Sequence, residues 1–285
     1  METRPFKRRD EDRDGWAVMD AGLKQAIKLF GTRLEAAFAM GSLAHGGFAP
    51  AASDVDLALI LSGLRRKDVA LVQEIGAVVK EEIKSSLAQR LSVFWSTWSS
   101  LQIGEGQGRF PLADRQDLVL SGIRLFGADR RSTISLPSGS ALSAGLVIEG
   151  ASFMRDKLAN PERNRLLQTP DKLVALGCRE ITKAVLFPAR FLFTLARGRA
   201  AENEESVAFV NETCDELVSS LVKAAYRCRV TGEFDRMAMV RLLRGALLPL
   251  YDELTQGYAV RLDQLGETSL ADFMRRWRAE LHTIA

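Results

Sequence analysis

Residues Gly41 to Leu61 read GSLAHGGFAPAASDVDLALIL, and the interpretation of the whole chain turns on them. In the second half, Asp54-Val55-Asp56-Leu57-Ala58-Leu59-Ile60 alternates acid and apolar residues before becoming wholly apolar, the pattern of a strand entering a core from its exposed end. Residues two apart on a strand share a face, so Asp54 and Asp56 are predicted to point together. Two carboxylates that close repel each other, and a cation between them relieves the repulsion. Mg²⁺ accepts an all-oxygen site made of one or two carboxylates and phosphate oxygens.

Just upstream, Ala37-Phe38-Ala39-Met40 reads as a buried strand running into Gly41-Ser42. A residue without a Cβ lets the backbone approach a ligand and present N–H groups to it, and the Ser42 hydroxyl adds a donor. Such a turn suits phosphate. The intervening loop, Leu43 to Ser53 with Gly46, Gly47 and Pro50, returns the chain so that the two strands can lie side by side. A phosphate turn and a carboxylate pair are thereby expected at one end of a sheet.

Taken together, the apolar strand, Gly41-Ser42, eleven residues between Ser42 and Asp54, then Ser53-Asp54-Val55-Asp56 and a second apolar strand resemble the signature of nucleotidyltransferases of the DNA polymerase β superfamily. An isolated Asp-x-Asp would carry little weight; the ordered combination carries much more. The resemblance implies an α/β mixed sheet with flanking helices. It also implies Asp54 and Asp56 as the catalytic, Mg²⁺-holding pair, Gly41 and Ser42 as triphosphate-binding residues, and Ser53 beside them.

Members of that family usually carry a third carboxylate on the next strand, here Leu91 to Ser96, where it completes the metal site and can serve as general base. This chain has no acid between Arg90 and Leu101. Ser92 aligns with the missing carboxylate, and a hydroxyl neither holds Mg²⁺ tightly nor accepts a proton near neutral pH. The nearest later acids are Glu105, Asp114 and Asp117. Either one of these or the substrate supplies the base, or the domain binds nucleotide without turning it over.

Composition sets the outer bounds. The 285 residues, 47% hydrophobic and 26% charged, suit two modest globular domains. No apolar run reaches the roughly eighteen residues a membrane span needs, and the charged segment from Met1 to Asp14 has no signal-peptide core, so a cytoplasmic protein is expected. Cys178, Cys214 and Cys228 are scattered without paired spacing and read as reduced thiols. A net charge of +3 with short, separated basic clusters such as Arg65-Arg66-Lys67 and Arg275-Arg276-Trp277-Arg278 gives no reason to expect a nucleic-acid partner.

Along the chain, helices are expected over Trp16–Phe30 and Leu64–Leu87, a third strand over Leu91–Ser96, and a loop over Gly104–Gly108 at the mouth of the site. An amphipathic helix from Asp114 runs into an edge strand ending at Gly127. The expected organisation is a charged tail to 14, a nucleotidyltransferase domain over 15–130, a breaker-rich linker over 131–145, and an all-α helical bundle over 146–285. In the bundle, helices are predicted over Leu173–Ala196 with a kink at Pro188, over Glu204–Arg229 with Asn203 as N-cap, over Met237–Leu254 with an interruption at Pro249, and over Leu270–Leu281.

The stretch from Arg190 to Arg199, followed by Asn203, is similar to a kinked helix and turn in aminoglycoside adenylyltransferases. That resemblance implies an acceptor pocket closed by the helical domain, with Glu180, Glu202, Glu204 and Glu205 as its available acids. Minimal nucleotidyltransferases share the amino-terminal layout, and Arg276 with His282 matches a loose ribonuclease spacing sometimes found beside them, although such a pair is common by chance. His45, inside the motif loop, reads either as a phosphate or ribose contact or as a solvated side chain.

The function expected is Mg²⁺-dependent transfer of a nucleoside monophosphate, AMP from ATP, onto a hydroxyl of a small aminoglycoside-like molecule or of a protein. The acceptor stays open, as does a homodimer. The alternative is a catalytically impaired nucleotide-binding or interaction module of the same fold.

Overall fold

In the computed structural model, residues 8–104 and 108–283 are described, and the chain divides into two compact units, 1–136 and 137–285. The first unit is built on a four-stranded sheet. Helix α1 (Arg13–Phe30) leads into β1 (Leu34–Met40), then a single helical turn α2 (Gly41–His45), then β2 (Val55–Leu61). Helix α3 (Asp68–Glu82) crosses to β3 (Leu91–Ser96), and α4 (Trp98–Ile103) and α5 (Leu112–Ser121) precede β4 (Ile123–Gly127). Spatially the strands run β3-β2-β1-β4, with β2–β3 parallel and the other two pairs antiparallel. This is the mixed sheet with flanking helices expected of a nucleotidyltransferase fold.

Both faces of the sheet are covered, which explains why β1 and β2 read as almost continuous apolar runs. Leu57, Leu59 and Leu61 pack with Trp16, Met19, Val72 and Ile75 on one face. Ala58 and Ile60 point the other way, into a cluster with Phe38, Met40, Phe94, Trp98 and Leu118. The two-residue period of a strand therefore fixes the direction of Asp56: it shares the parity of Ala58 and Ile60 and faces the side of the sheet carrying α5.

A charged tail was expected to residue 14, but residues 8 to 12 make specific contacts and α1 starts at Arg13. Arg8 makes an ion pair with Asp20 at 2.6 Å and lies over the Trp16 ring, while Arg9 pairs with the buried Asp12. Helix α3 is shorter than its apolar pattern suggested. It begins at Asp68, whose carboxylate accepts the Arg65 backbone N–H and is held by Arg33. Ile123 and Leu125 belong to β4, the edge strand ending at Gly127, because the chain leaves α5 at Gly122.

The second unit is all helical. Its elements are α6 (Gly139–Phe153), extended by a π turn to Leu158, α7 (Pro161–Leu167), α8 (Pro170–Ala175), α9 (Cys178–Arg197), α10 (Asn203–Thr213), α11 (Glu216–Thr231), α12 (Arg236–Gln264) and α13 (Thr268–Thr283). Since α6 starts at Gly139, the second part of the breaker-rich segment belongs to a helix. The helix predicted from Leu173 is broken by Gly177, whose φ of 91° suits glycine. The helix predicted from Glu204 stops at Thr213 because the Asp215 side chain caps a new helix at the Val218 N–H.

Two further details differ from expectation. Glu202, not Asn203, is the N-cap of α10, in a reciprocal capping box with Glu205. Helix α12 continues through Pro249 without interruption. A proline removes only one N–H from the helix. Burial of Leu250, Tyr251 and Leu254 on the same helix outweighs the missing bond. All three cysteines are unbridged.

Candidate active site

The site forms where β1 ends and β2 begins. Met40 faces Asp56 across the antiparallel pair, and Asp56 faces Ser92 across the parallel pair. Immediately after Met40 the backbone turns at Gly41 with φ 63°, and a Cβ built there would stand 2.3 Å from Asp56 Oδ2. The glycine is therefore required by the protein itself: it makes room for the Asp56 carboxylate. Sequence reasoning had assigned that space to a ligand.

Asp56 is half-buried and crowded. Burial pushes its carboxyl up to about 8, repulsion from Asp114, Asp54 and Asp117 adds to the effect, and Arg109 opposes it. Asp114 and Asp117 come from the first two turns of α5, the helix beneath the face that Asp56 shares. Asp117 also accepts the Gly41 N–H at 2.7 Å. One carboxylate of the cluster thus already holds the turn that was expected to present N–H groups to phosphate.

Ser42 and Ser53, both expected to bind nucleotide, are brought together. The Ser42 hydroxyl donates to Ser53 Oγ at 3.0 Å, and Ser53 Oγ accepts the Ala49 N–H at 2.9 Å. Ser53 is buried at 3% exposure, so these hydrogen bonds fix the motif loop while Ser42 remains half-exposed. Arg90, which no sequence signal indicated, clamps the same loop by donating to the carbonyls of Ser53 at 2.6 Å and Pro50 at 2.5 Å. Among the described residues, His45 Nδ1 is enclosed without a hydrogen-bond partner.

Ser92 accepts a hydrogen bond from Arg109 Nη1 at 3.1 Å. An arginine therefore meets the position where the third carboxylate was sought. Of the later acids, Asp114 and Asp117 join the cluster. Glu105 lies outside the described residues, as does most of the loop expected at the mouth of the site.

Mg²⁺ can be tested against these residues. Among the described residues, no three His, Cys, Asp or Glu side chains converge closely enough to hold a metal by themselves. Asp54 and Asp56 nevertheless give an all-oxygen pair under like-charge repulsion, which suits a cation that takes its remaining ligands from phosphate and water.

No family model and no curated protein matches the chain. Among solved structures, it is similar to spectinomycin adenyltransferase AAD(9) from Enterococcus faecialis, crystallised with ATP and spectinomycin. The TM-score is 0.56 at 13% identity, with 81% of this chain and 98% of that chain covered. A likeness at that identity is a likeness of fold. It extends beyond the sheet-bearing unit into the helical one. Among the described residues, no helix is long and apolar enough to cross a membrane.

Proposed function

We infer that the chain is a Mg²⁺-dependent nucleotidyltransferase that moves a nucleoside monophosphate, AMP from ATP, onto an acceptor hydroxyl. The observation that carries this reading is the convergence of Asp54, Asp56, Asp114 and Asp117 beside the Gly41 turn. Carboxylates gathered in this way repel one another, and a bound cation relieves that repulsion.

Asp54 and Asp56 would hold the metal, which would supply charge neutralisation for the phosphates. Ser42 and the Gly41 turn orient the triphosphate. Asp114 stands in for the carboxylate missing at Ser92 and accepts the proton of the acceptor hydroxyl as its oxygen attacks the α-phosphorus and pyrophosphate departs. Transfer of this kind depends chiefly on positioning and charge neutralisation, so relocating the base from a strand to a helix is compatible with turnover. The structural likeness to a spectinomycin adenyltransferase favours a small-molecule hydroxyl over a protein hydroxyl as acceptor.

A second reading keeps the fold and the nucleotide but not the reaction. It is favoured by Ser92, whose hydroxyl is engaged by Arg109 and cannot act as a base. Calorimetric titration with ATP, with and without Mg²⁺, tests what the two readings share. Wild type should bind more tightly with Mg²⁺, and Asp54→Ala should lose that gain; equal binding in all four titrations would refute the metal site. Pyrophosphate release in the presence of spectinomycin and other aminoglycosides then separates transferase from binding module.

A further inference from the structure

Arg109 is held in place by more interactions than a solvated side chain needs. Its backbone forms an isolated bridge with β3, the Arg109 N–H donating to Trp95 O at 3.0 Å and the Trp95 N–H to Arg109 O at 3.3 Å. Gly108 makes this approach feasible: its φ is 115°, and a Cβ there would lie 2.3 Å from Trp95 O. From that anchor the side chain runs back along the edge strand. The guanidinium stacks over Phe94 at 4.3 Å and uses Nη1 to donate to Ser92 Oγ and Val93 O, both at 3.1 Å.

Only one of its nitrogens is occupied in this way. Among the described residues, Nε and Nη2 make no hydrogen bond and Arg109 forms no ion pair, although it stands next to the residue paired with Asp56. An arginine fixed at its backbone, its ring face and one nitrogen, with the rest of its fork open to solvent, is arranged for a planar anion contact.

We propose that Arg109 is an anion-binding residue of this site, its fixed guanidinium receiving triphosphate oxygens at the sheet edge where Ser92 replaces an acid. The proposal rests on the nucleotide-binding reading above and adds a residue to it. The serine and the arginine then make one coupled exchange: a glutamate at position 92 would neutralise Arg109, whereas a small hydroxyl orients it and leaves its charge for the ligand. A fixed cation there also takes over part of the neutralisation that a fuller carboxylate set would assign to metal.

The experiment is calorimetry of ATP and of inorganic tripolyphosphate in Mg²⁺ buffer with wild type, Arg109→Gln, Arg109→Lys, Ser92→Glu and Asp54→Ala, each checked for folding by circular dichroism. Arg109→Gln should weaken both ligands by about 10- to 100-fold, the range of a charge-assisted hydrogen bond. Arg109→Lys should fall between, keeping the charge without the fork. Ser92→Glu should weaken binding as well.

That last sign is decisive, because a site merely lacking its third acid would bind more tightly once the acid is restored. Tighter binding by Ser92→Glu, or unchanged binding by Arg109→Gln while Asp54→Ala is impaired, overturns the role of Arg109 and leaves the nucleotide reading intact. Failure of wild type to bind either ligand overturns both. Arg109 is exposed, so its variants should fold even if Ser92→Glu does not.

Discussion

Asp56, at the start of β2, and Asp68, at the start of the following helix α3, meet opposite fates. Asp68, after β2, is 1% exposed and is held by Arg33 through two hydrogen bonds, of 2.9 and 2.6 Å. The Arg33 hydrogen bond is the largest influence on the Asp68 carboxyl and holds it below the usual carboxylate range. Asp56, at the start of β2, is surrounded by three other aspartates, and its carboxyl is pushed up to about 8 by burial and then by their charges. Asp68 is matched to a cation within the chain, whereas Asp56 is gathered with like charges. A buried acid that the protein satisfies is evidence of structure, and one that it crowds is evidence of a ligand.

The largest test of that contrast is Asp56→Asn. Transfer should fall by on the order of a thousandfold or more, since several kcal/mol of phosphate charge stabilisation are lost with the metal ligand. The melting temperature in metal-free buffer should hold or rise, because a repelled carboxylate has been removed. A large drop in melting temperature would make Asp56 a structural acid like Asp68.

Asp68→Asn should behave in the reverse way. Removing one partner of a buried pair costs about 3 kcal/mol, read as a lower urea midpoint, with KM and kcat of the folded fraction unchanged. The pH dependence has a definite sign. A carboxyl depressed in the folded state contributes stability that is present above its unfolded pKa, about 3.9, and is lost as pH falls through the folded value. Wild type should therefore lose stability on acidification below about pH 4, and Asp68→Asn should show less of that loss.

Gly41→Ala should cost less stability than Asp68→Asn, about 1–2 kcal/mol, from a positive φ and the contact with Asp56 Oδ2. It links the two properties, because the displaced carboxylate also belongs to the site. Thermal melting and pyrophosphate release should both decline. Normal activity with reduced stability would separate the turn from the carboxylate cluster.

Much of this was legible in local sequence. The Gly-Ser turn, the Asp-x-Asp pair and the apolar strands specify the sheet because strand parity and turn chemistry act over a few residues. Helix ends were less legible. The Glu202–Glu205 box, the Gly177 break and the Asp215 cap were each encoded, but neighbouring residues offered competing signals of similar strength. Pro249 misled because burial of the helix around it could not be read from the proline alone.

The sequence by itself determined that a glycine turn is followed by an apolar strand with Asp56 at its start and Asp54 just ahead of it, since that follows from the two-residue period and the order of residues. It also showed an acid missing at position 92. Only the tertiary structure decided what answers that absence. Asp114 and Asp117 reach the cluster because α5 packs on the face that Asp56 shares, and Arg109 reaches Ser92 because its backbone is bridged to β3. These residues lie 17 to 25 positions beyond Ser92, and local periodicity carries no information about which distant side chains packing brings to one carboxylate.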